Sequence, residues 1–279
     1  MNEKKVSEKI YVGEINTLAV CRVSEPGIYL VSEEREEVLL PNAYVTKDMQ
    51  IDSFLDVFIY TDSEDRLVAT TLEPYLYVNE FAYLEIVDSA PFGAFVDIGL
   101  PKDILVPKNK QRTPFHKGHF KVLKMILDDK TNRLIASEKY TLEKEIKNLK
   151  EQDEVEILVY SKTPLGFKVI VDDLYDGMIY HTEIFEKVYF GDRKRAYVKK
   201  IREDGKLDIT LQKVGEKIKD DKVYEILVQN GGTMNFTYKS DAEAIKNKFG
   251  VSKKSFKATL TKLIEENKII LDETSIRVK

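Results

Sequence analysis

The chain has a single cysteine, Cys21, in 279 residues. One thiol excludes a disulfide within the chain and a zinc site built on four cysteines, and it fits a reducing cytosol. Cys21 lies in the alternating run Leu18-Ala19-Val20-Cys21-Arg22-Val23, which predicts a buried strand position with no base nearby to activate it. Histidine is scarce too, with residues at 116, 119 and 181 only. His116 and His119 have the spacing of a metal pair, but no third ligand is near in sequence and their loop is basic, so no metal is expected. Long apolar runs are missing. Nothing approaches the ~20 residues that cross a bilayer, and Met1 to Glu8 is polar where a secretion signal would be apolar. A cytoplasmic protein without membrane contact is expected. No Gly-rich loop ends in Lys-Ser or Lys-Thr, which removes the common nucleotide-hydrolase signal. Asp172, Asp173 and Asp176 are close in sequence but read as a turn rather than a Mg²⁺ site. Neither catalysis nor a cofactor is expected.

What is present is uneven charge. The net charge of −4 hides a gradient: residues 1–75 hold 7 Lys and Arg against 15 Asp and Glu, and residues 218–279 hold 12 against 9. A phosphate-binding surface should therefore avoid the first quarter.

The strongest organisational signal is internal repetition. Three Gly turns read Glu25-Pro26-Gly27-Ile28-Tyr29, Pro91-Phe92-Gly93-Ala94-Phe95 and Pro164-Leu165-Gly166-Phe167-Lys168. Three apolar runs end Leu40-Pro41, Val106-Pro107 and Tyr180-His181, which aligns Pro41, Pro107 and His181. Closing strands begin at Leu67, Leu134 and Leu207, the last after an Asp204-Gly205 hairpin signal. The glycines are 66 and 73 residues apart, and the leucines 67 and 73. Two independent anchors thus give one period. Five short strands in ~65–70 residues match an OB barrel, and each Gly would allow the sharp bend and φ > 0 that close a small sheet.

The remaining segments read differently. Residues 141–149 place Leu142, Ile146 and Leu149 on one helical face and predict a short connecting helix. From about 217, Val223, Ile226 and Leu227 give a helix stopped by Gly231-Gly232. Asp241 starts a second that Gly250 ends, and Ser252 caps a third with Phe256, Leu260, Leu263 and Ile264 as its apolar stripe. A hairpin over 268–278 follows. The expected fold is mainly β: three tandem five-stranded OB-fold barrels and an α+β winged helix-turn-helix. The expected domains are an acidic, degenerate barrel at 1–75, RNA-binding barrels at 76–140 and 150–216, the connecting helix at 141–149, and the winged helix at 217–279.

Phe92 to Gly99 and Asp176 to Ile184 resemble the two halves of the RNA-binding OB domain repeated in the largest protein of the bacterial small ribosomal subunit. That pattern is an apolar strand, then Gly-x-Phe-Val-x, then an apolar run ending in His. Gly191-Asp192, Tyr197 to Leu207, and Asn230-Gly231-Gly232 leading to Ser252–Lys257 are similar to the conserved virulence factor B proteins of Gram-positive bacteria. The resemblance covers essentially the whole chain, including domain order. It implies an RNA-binding regulator of gene expression, virulence-related in that family. The first repeat keeps Gly27 and Tyr29 but is acidic and lacks the His, which weakens the implied RNA binding there. The second keeps the aromatics and also lacks the His.

Single strands are held by aromatic faces that stack on bases and by cations on phosphates. The resemblance makes Phe92 and Phe95 the stacking platform, with barrel packing as the plain alternative. It gives His181 a binding role at the end of strand three, beside Tyr180, with Lys168 on strand two. Two acid-free basic runs supply candidate phosphate contacts. One holds Lys108, Lys110, Arg112, His119 and Lys121, the other Arg193, Lys194, Arg195, Lys199, Lys200 and Arg202. Solvated charge is the alternative for both. In the third helix of the tail, Lys253, Lys254 and Lys257 suit phosphates more than base edges, which Arg, Asn or Gln usually read. The expected partner is single-stranded RNA, as mRNA or ribosome-associated RNA. DNA or a protein could engage the winged helix. The rival readings are a DNA-binding transcription regulator and a protein-binding adaptor.

Overall fold

The computed structural model describes residues 5–184, 186–212 and 220–279. Its first fifteen strands form three closed five-stranded barrels. Barrel one holds β1 (Ile15–Ser24), β2 (Gly27–Val31), β3 (Glu37–Pro41), β4 (Phe54–Thr61) and β5 (Leu67–Thr70). Barrel two holds β6 (Phe81–Ala90), β7 (Gly93–Val96), β8 (Ile104–Pro107), β9 (Phe120–Leu127) and β10 (Leu134–Ser137). Barrel three holds β11 (Glu154–Thr163), β12 (Gly166–Val171), β13 (Tyr175–Tyr180), β14 (Arg193–Ile201) and β15 (Leu207–Thr210). In each, strands one, two and three pair antiparallel, the fifth lies parallel to the third, and the fourth closes the ring between the fifth and the first. The fold is mainly β, as the sequence pattern predicts.

The glycines that set the repeat are required chiefly by space. Each faces the end of strand three, as Gly27 opposite Pro41, Gly93 opposite Pro107 and Gly166 opposite Tyr180. A Cβ would come 2.1 Å from the Leu40 carbonyl oxygen, 2.5 Å from that of Val106 and 2.0 Å from that of Ile179. Gly93 closes its barrel without a positive φ, so the left-handed bend expected of all three is not what they share. The turn before strand five does use the left-handed region throughout, at Asp65, Asn132 and Gly205.

Strand one of every barrel carries a bulge, at Val20/Arg22, Ile86/Asp88 and Val159/Ser161. Such an extra residue bends and twists a strand. Cys21 is the unpaired residue of the first bulge. It is half-buried there, with its thiol donating to the Tyr29 carbonyl at 3.3 Å, instead of fully inside the barrel as alternation suggested. Burial, with Glu37 nearby, raises its pKa.

The chain divides into two compact units, residues 1–142 and 143–279. In the first, barrels one and two share one continuous apolar core. Val12 and Leu76, between them, are buried in it. Gly13 packs so closely on Leu134 of barrel two that a Cβ would lie 2.7 Å from its Cδ2. The second unit holds barrel three and the winged helix.

Residues 141–149 form no helix. Glu143 makes a bridge to Tyr175, the Tyr175 hydroxyl accepts from the Lys147 amide and donates to its carbonyl, and Ile146 and Leu149 pack on the core of barrel three. A nine-residue helix is marginal in isolation, and these tertiary contacts outweigh it.

The last domain contains α1 (Asp220–Gln229), β16 (Thr233–Met234), α2 (Ala242–Phe249), α3 (Lys253–Glu265), β17 (Ile269–Leu271) and β18 (Ile276–Val278). Its expected start at 217 lies outside the described residues. The two-residue β16 joins the hairpin as a third strand, in the order β16-β18-β17. Val223, Leu227, Ile245, Phe249, Phe256, Leu260 and Leu263 form the core, while Ile264 stays 36% exposed outside the expected stripe.

Asp241 caps α2 by accepting from the amides of Glu243 and Ala244. Those bonds lower its carboxyl pKa from 3.8. A depressed folded-state pKa adds stability above the unfolded value, and that stability is lost as pH falls through the folded one. Thermal melts between neutral and acid pH should therefore show the winged helix weakening below about pH 4. Asp241→Asn should flatten that dependence.

Candidate nucleic-acid interface

The walls of a five-stranded barrel are not equivalent. In barrel two, β7 and β8 form one seam, while β9 pairs with β6 and β10 on the far side. The bulge in β6 sets Asp88 across from Phe95, and Phe95 lies across from Leu105. Phe92, in the turn before β7, is 61% exposed. Its ring meets that of Phe95 edge to face, with centroids 6.0 Å apart. A large apolar ring left in solvent beside a second ring is a surface to which a base can add.

The cations around this pair come from both ends of the seam. The Lys108 amide donates to the Phe92 carbonyl at 2.9 Å, and Lys108 and Arg112 line a cleft of about 380 Å³ with the β6–β7 turn. Lys102 and Arg133 line a second cleft, of about 290 Å³, with both phenylalanines. Sequence reading missed those two, which are separated from the Phe92 turn and from the basic run. Asp103 shares the second cleft, and burial, with Asp97 and Asp88 nearby, raises its carboxyl pKa.

Other members of the first basic run lie elsewhere. The carbonyl of Lys110 is taken up by the amides of Glu138 and Lys139. His119 precedes β9, with its ring 5.6 Å from His116. Lys121 is on β9, with Glu138 3.4 Å away and the Phe115 ring beneath it. The strand order puts β9 away from the β7–β8 seam, although the Lys121 ammonium reaches Thr113, which lines the first cleft, at 3.2 Å.

Barrel one has the same seam with its aromatic covered. Arg22 takes the place of Asp88, and its guanidinium lies 3.4 Å from the centroid of Tyr29 while pairing with Glu37 at 2.9 Å. A cation on one face and a carboxylate beside it leave no free platform for a base.

Barrel three has Lys168 where barrel two has Phe95, two residues after the glycine and across from Met178. Tyr180, not His181, occupies the position of Pro41 and Pro107, because it is the residue facing the glycine. His181 corresponds to Asn42 and Lys108: the amides of all three donate to the residue before the glycine. Its ring is 6.2 Å from Phe167, and its carbonyl accepts from Lys246 of α2. The seam of barrel three is thus mixed in charge. Lys168, Arg202 and Lys206 line a small cleft with Asp176; Lys206 lies 3.7 Å from Asp176, Arg202 pairs with Asp204 at 3.0 Å, and the Arg202 guanidinium is 3.4 Å from the Tyr180 hydroxyl. Sequence reading overlooked Lys206.

The second basic run is acid-free in sequence but not in space. Arg193 pairs with Glu156 and Asp173; burial alone would lower its pKa, and the two carboxylates raise it. Lys194 pairs with Glu186, Arg195 with Glu154 and Lys199 with Glu183. Lys200 has no ion pair among the described residues and is exposed. All five are on β14, opposite the β12–β13 seam, whereas Arg202 follows that strand and reaches Tyr180. On α3, Lys254 and Lys257 are exposed and Lys253 is half-buried. Among the described residues, no helix is long and apolar enough to cross a membrane.

Three tandem closed five-stranded barrels followed by a winged helix define a class of multidomain nucleic-acid-binding protein. Residues 12–72 match the S1 domain and residues 221–278 the CvfB-like winged helix domain. The S1 match falls on the acidic first barrel, the repeat that looks most divergent in sequence. Nearly the whole chain is similar to conserved virulence factor B of Staphylococcus saprophyticus, at 27% identity over 283 residues, 96% of this chain and 94% of that protein. It is also similar to the uncharacterized protein YitL of Bacillus subtilis, at 28% over 274 residues, 92% and 90% of the two chains. A solved multidomain protein with nucleic acid binding domains from Streptococcus pneumoniae is 22% identical, with a TM-score of 0.44 over 96% of this chain and 98% of that one. The resemblance to the conserved virulence factor B family holds for the end domains and along the chain.

Proposed function

We propose that the chain binds single-stranded RNA and acts after transcription in the cytoplasm, on mRNA or ribosome-associated RNA, as a binder and not an enzyme. One observation carries the reading: Phe92 stands in solvent beside Phe95 on the β7–β8 seam, with Lys102 and Arg133 in the cleft both rings line and the Lys108 amide bonded to the Phe92 carbonyl. Stacking holds unpaired bases, which duplex DNA does not offer. Barrel three would add phosphate contacts through Lys168, Arg202 and Lys206. The winged helix would add them through Lys254 and Lys257, without reading base edges. Arg193, Lys194, Arg195 and Lys199 of β14, like Arg202 and Lys206, must exchange a carboxylate already in place for each phosphate, whereas the exposed Lys200 has no ion pair among the described residues. A DNA-reading winged helix is the second reading, favoured by the exposure of those two lysines on α3.

Fluorescence anisotropy with labelled single-stranded RNA, single-stranded DNA and duplex DNA at two salt concentrations tests the choice. Single-stranded RNA should bind tightest. For three neutralised phosphates, a fourfold rise in salt should weaken binding roughly 20-fold. A clear preference for duplex DNA would transfer the activity to the winged helix, and salt-independent or absent binding would favour the adaptor.

A further inference from the structure

The second cleft on barrel two is not made by barrel two alone. Its inner side is Phe92, Phe95 and Leu105, and its cations are Lys102 and Arg133, but Thr61, Ser63 and Asp65 of barrel one form the opposite wall. That wall is held firmly. Lys102 donates to the Asp62 carbonyl at 2.5 Å and lies 3.4 Å from the Thr61 hydroxyl, and Arg133 pairs with Asp65. Within the loop, the Asp62 carboxylate accepts from the amides of Glu64 and Arg66. The continuous core beneath fixes the two barrels to each other.

We propose that barrel one completes a nucleotide pocket on barrel two, and that its β4–β5 loop selects bases carrying an exocyclic amine. The inference rests on the RNA-binding reading above. A base stacked on Phe92 or Phe95 inside the cleft turns its edge toward the barrel-one wall, while Lys102 and Arg133, each already engaged by that wall, keep further N–H donors for the phosphate. That wall presents acceptors: the Asp65 carboxylate, and the Ser63 and Thr61 hydroxyls. A carboxylate only accepts, and it has room for more than one donor. Cytosine, adenine and guanine each bring an exocyclic amine, whereas uracil offers a single ring N3–H flanked by two carbonyl oxygens that a carboxylate repels. A well-made pair of this kind discriminates by about tenfold or more. The acidity of barrel one, a liability for phosphate binding, becomes a means of base choice at this edge.

The test is anisotropy of the full chain with short homopolymers of cytidine, adenosine and uridine, for wild type, Asp65→Ala and Ser63→Ala. Both positions are exposed loop sites; because Asp65 holds a left-handed φ that strains alanine, circular dichroism checks that the variant folds and Asp65→Gly repeats the test without that strain. Wild type should bind oligocytidine and oligoadenosine about tenfold tighter than oligouridine. Asp65→Ala should bring the three together, with oligouridine binding equally well or better because Arg133 is released. A uniform gain for all three in Asp65→Ala would show charge removal without base reading and overturn the inference. So would a wild type that binds all three alike. Failure of wild type to bind any of them would instead overturn the RNA-binding reading, and this inference with it.

Discussion

Replacing Phe92 and Phe95 together with alanine should lower affinity for single-stranded RNA by about 3 kcal/mol, roughly a hundredfold. Each stacked base contributes ~1–3 kcal/mol, and the two rings stand together on an open seam with Phe92 largely in solvent. Phe92 should account for the larger part, since its ring is the more exposed and Phe95 is half-buried. The double variant should keep its salt dependence, because Lys102, Lys108 and Arg133 are untouched. A titration in which the double variant binds like wild type would remove barrel two as the working surface. Loss of the salt slope together with the affinity would point to a barrel that no longer folds.

Gly166→Ala should destabilise barrel three by about 3 kcal/mol, at the upper end for overpacking. The new Cβ would stand 2.0 Å from the Ile179 carbonyl oxygen, a backbone atom that cannot rotate away as a side chain can. Either β12 separates from β13 or the ladder from Gly166–Tyr180 to Val171–Tyr175 shifts. Hydrogen exchange locates the effect. Amides of β12 and β13 should lose roughly a hundredfold in protection, while those of the 1–142 unit keep theirs. Unchanged protection in barrel three would mean the strand end yields at little cost.

The repeat was legible because closure of a small barrel demands residues of fixed type at fixed spacing. Gly27, Gly93 and Gly166 admit no side chain, and Leu67, Leu134 and Leu207 each begin a closing strand. Element type was legible in the tail as well, where Asp241, Gly250 and Ser252 mark helix ends by chemistry local to each residue. Register was not. The ends of the apolar runs align His181 with Pro41 and Pro107, yet the hydrogen-bond ladder counts from the glycine and puts Tyr180 there. The second basic run misled for a related reason. The run itself is free of acid, but Arg193 meets Glu156 from 37 residues away, across the β11–β14 pair. Charge in a sheet is set by the adjacent strand, and pattern along one strand does not report it. The helix expected at 141–149 failed because a short amphipathic segment does not reveal which surface will claim its apolar side.

The core shared by barrels one and two ties the fate of one surface to the integrity of another. With Val12, Leu76 and Leu134 sealed into a single interior, the acidic barrel and the barrel bearing Phe92 gain and lose order as one cooperative block. A defect planted in the interior of residues 12–72 is then felt at the Phe92 face, which only the β4–β5 loop of that segment touches. The first repeat, with its own aromatic capped by Arg22, remains indispensable as ballast: removing it would leave its neighbour with an oily flank instead of a second barrel.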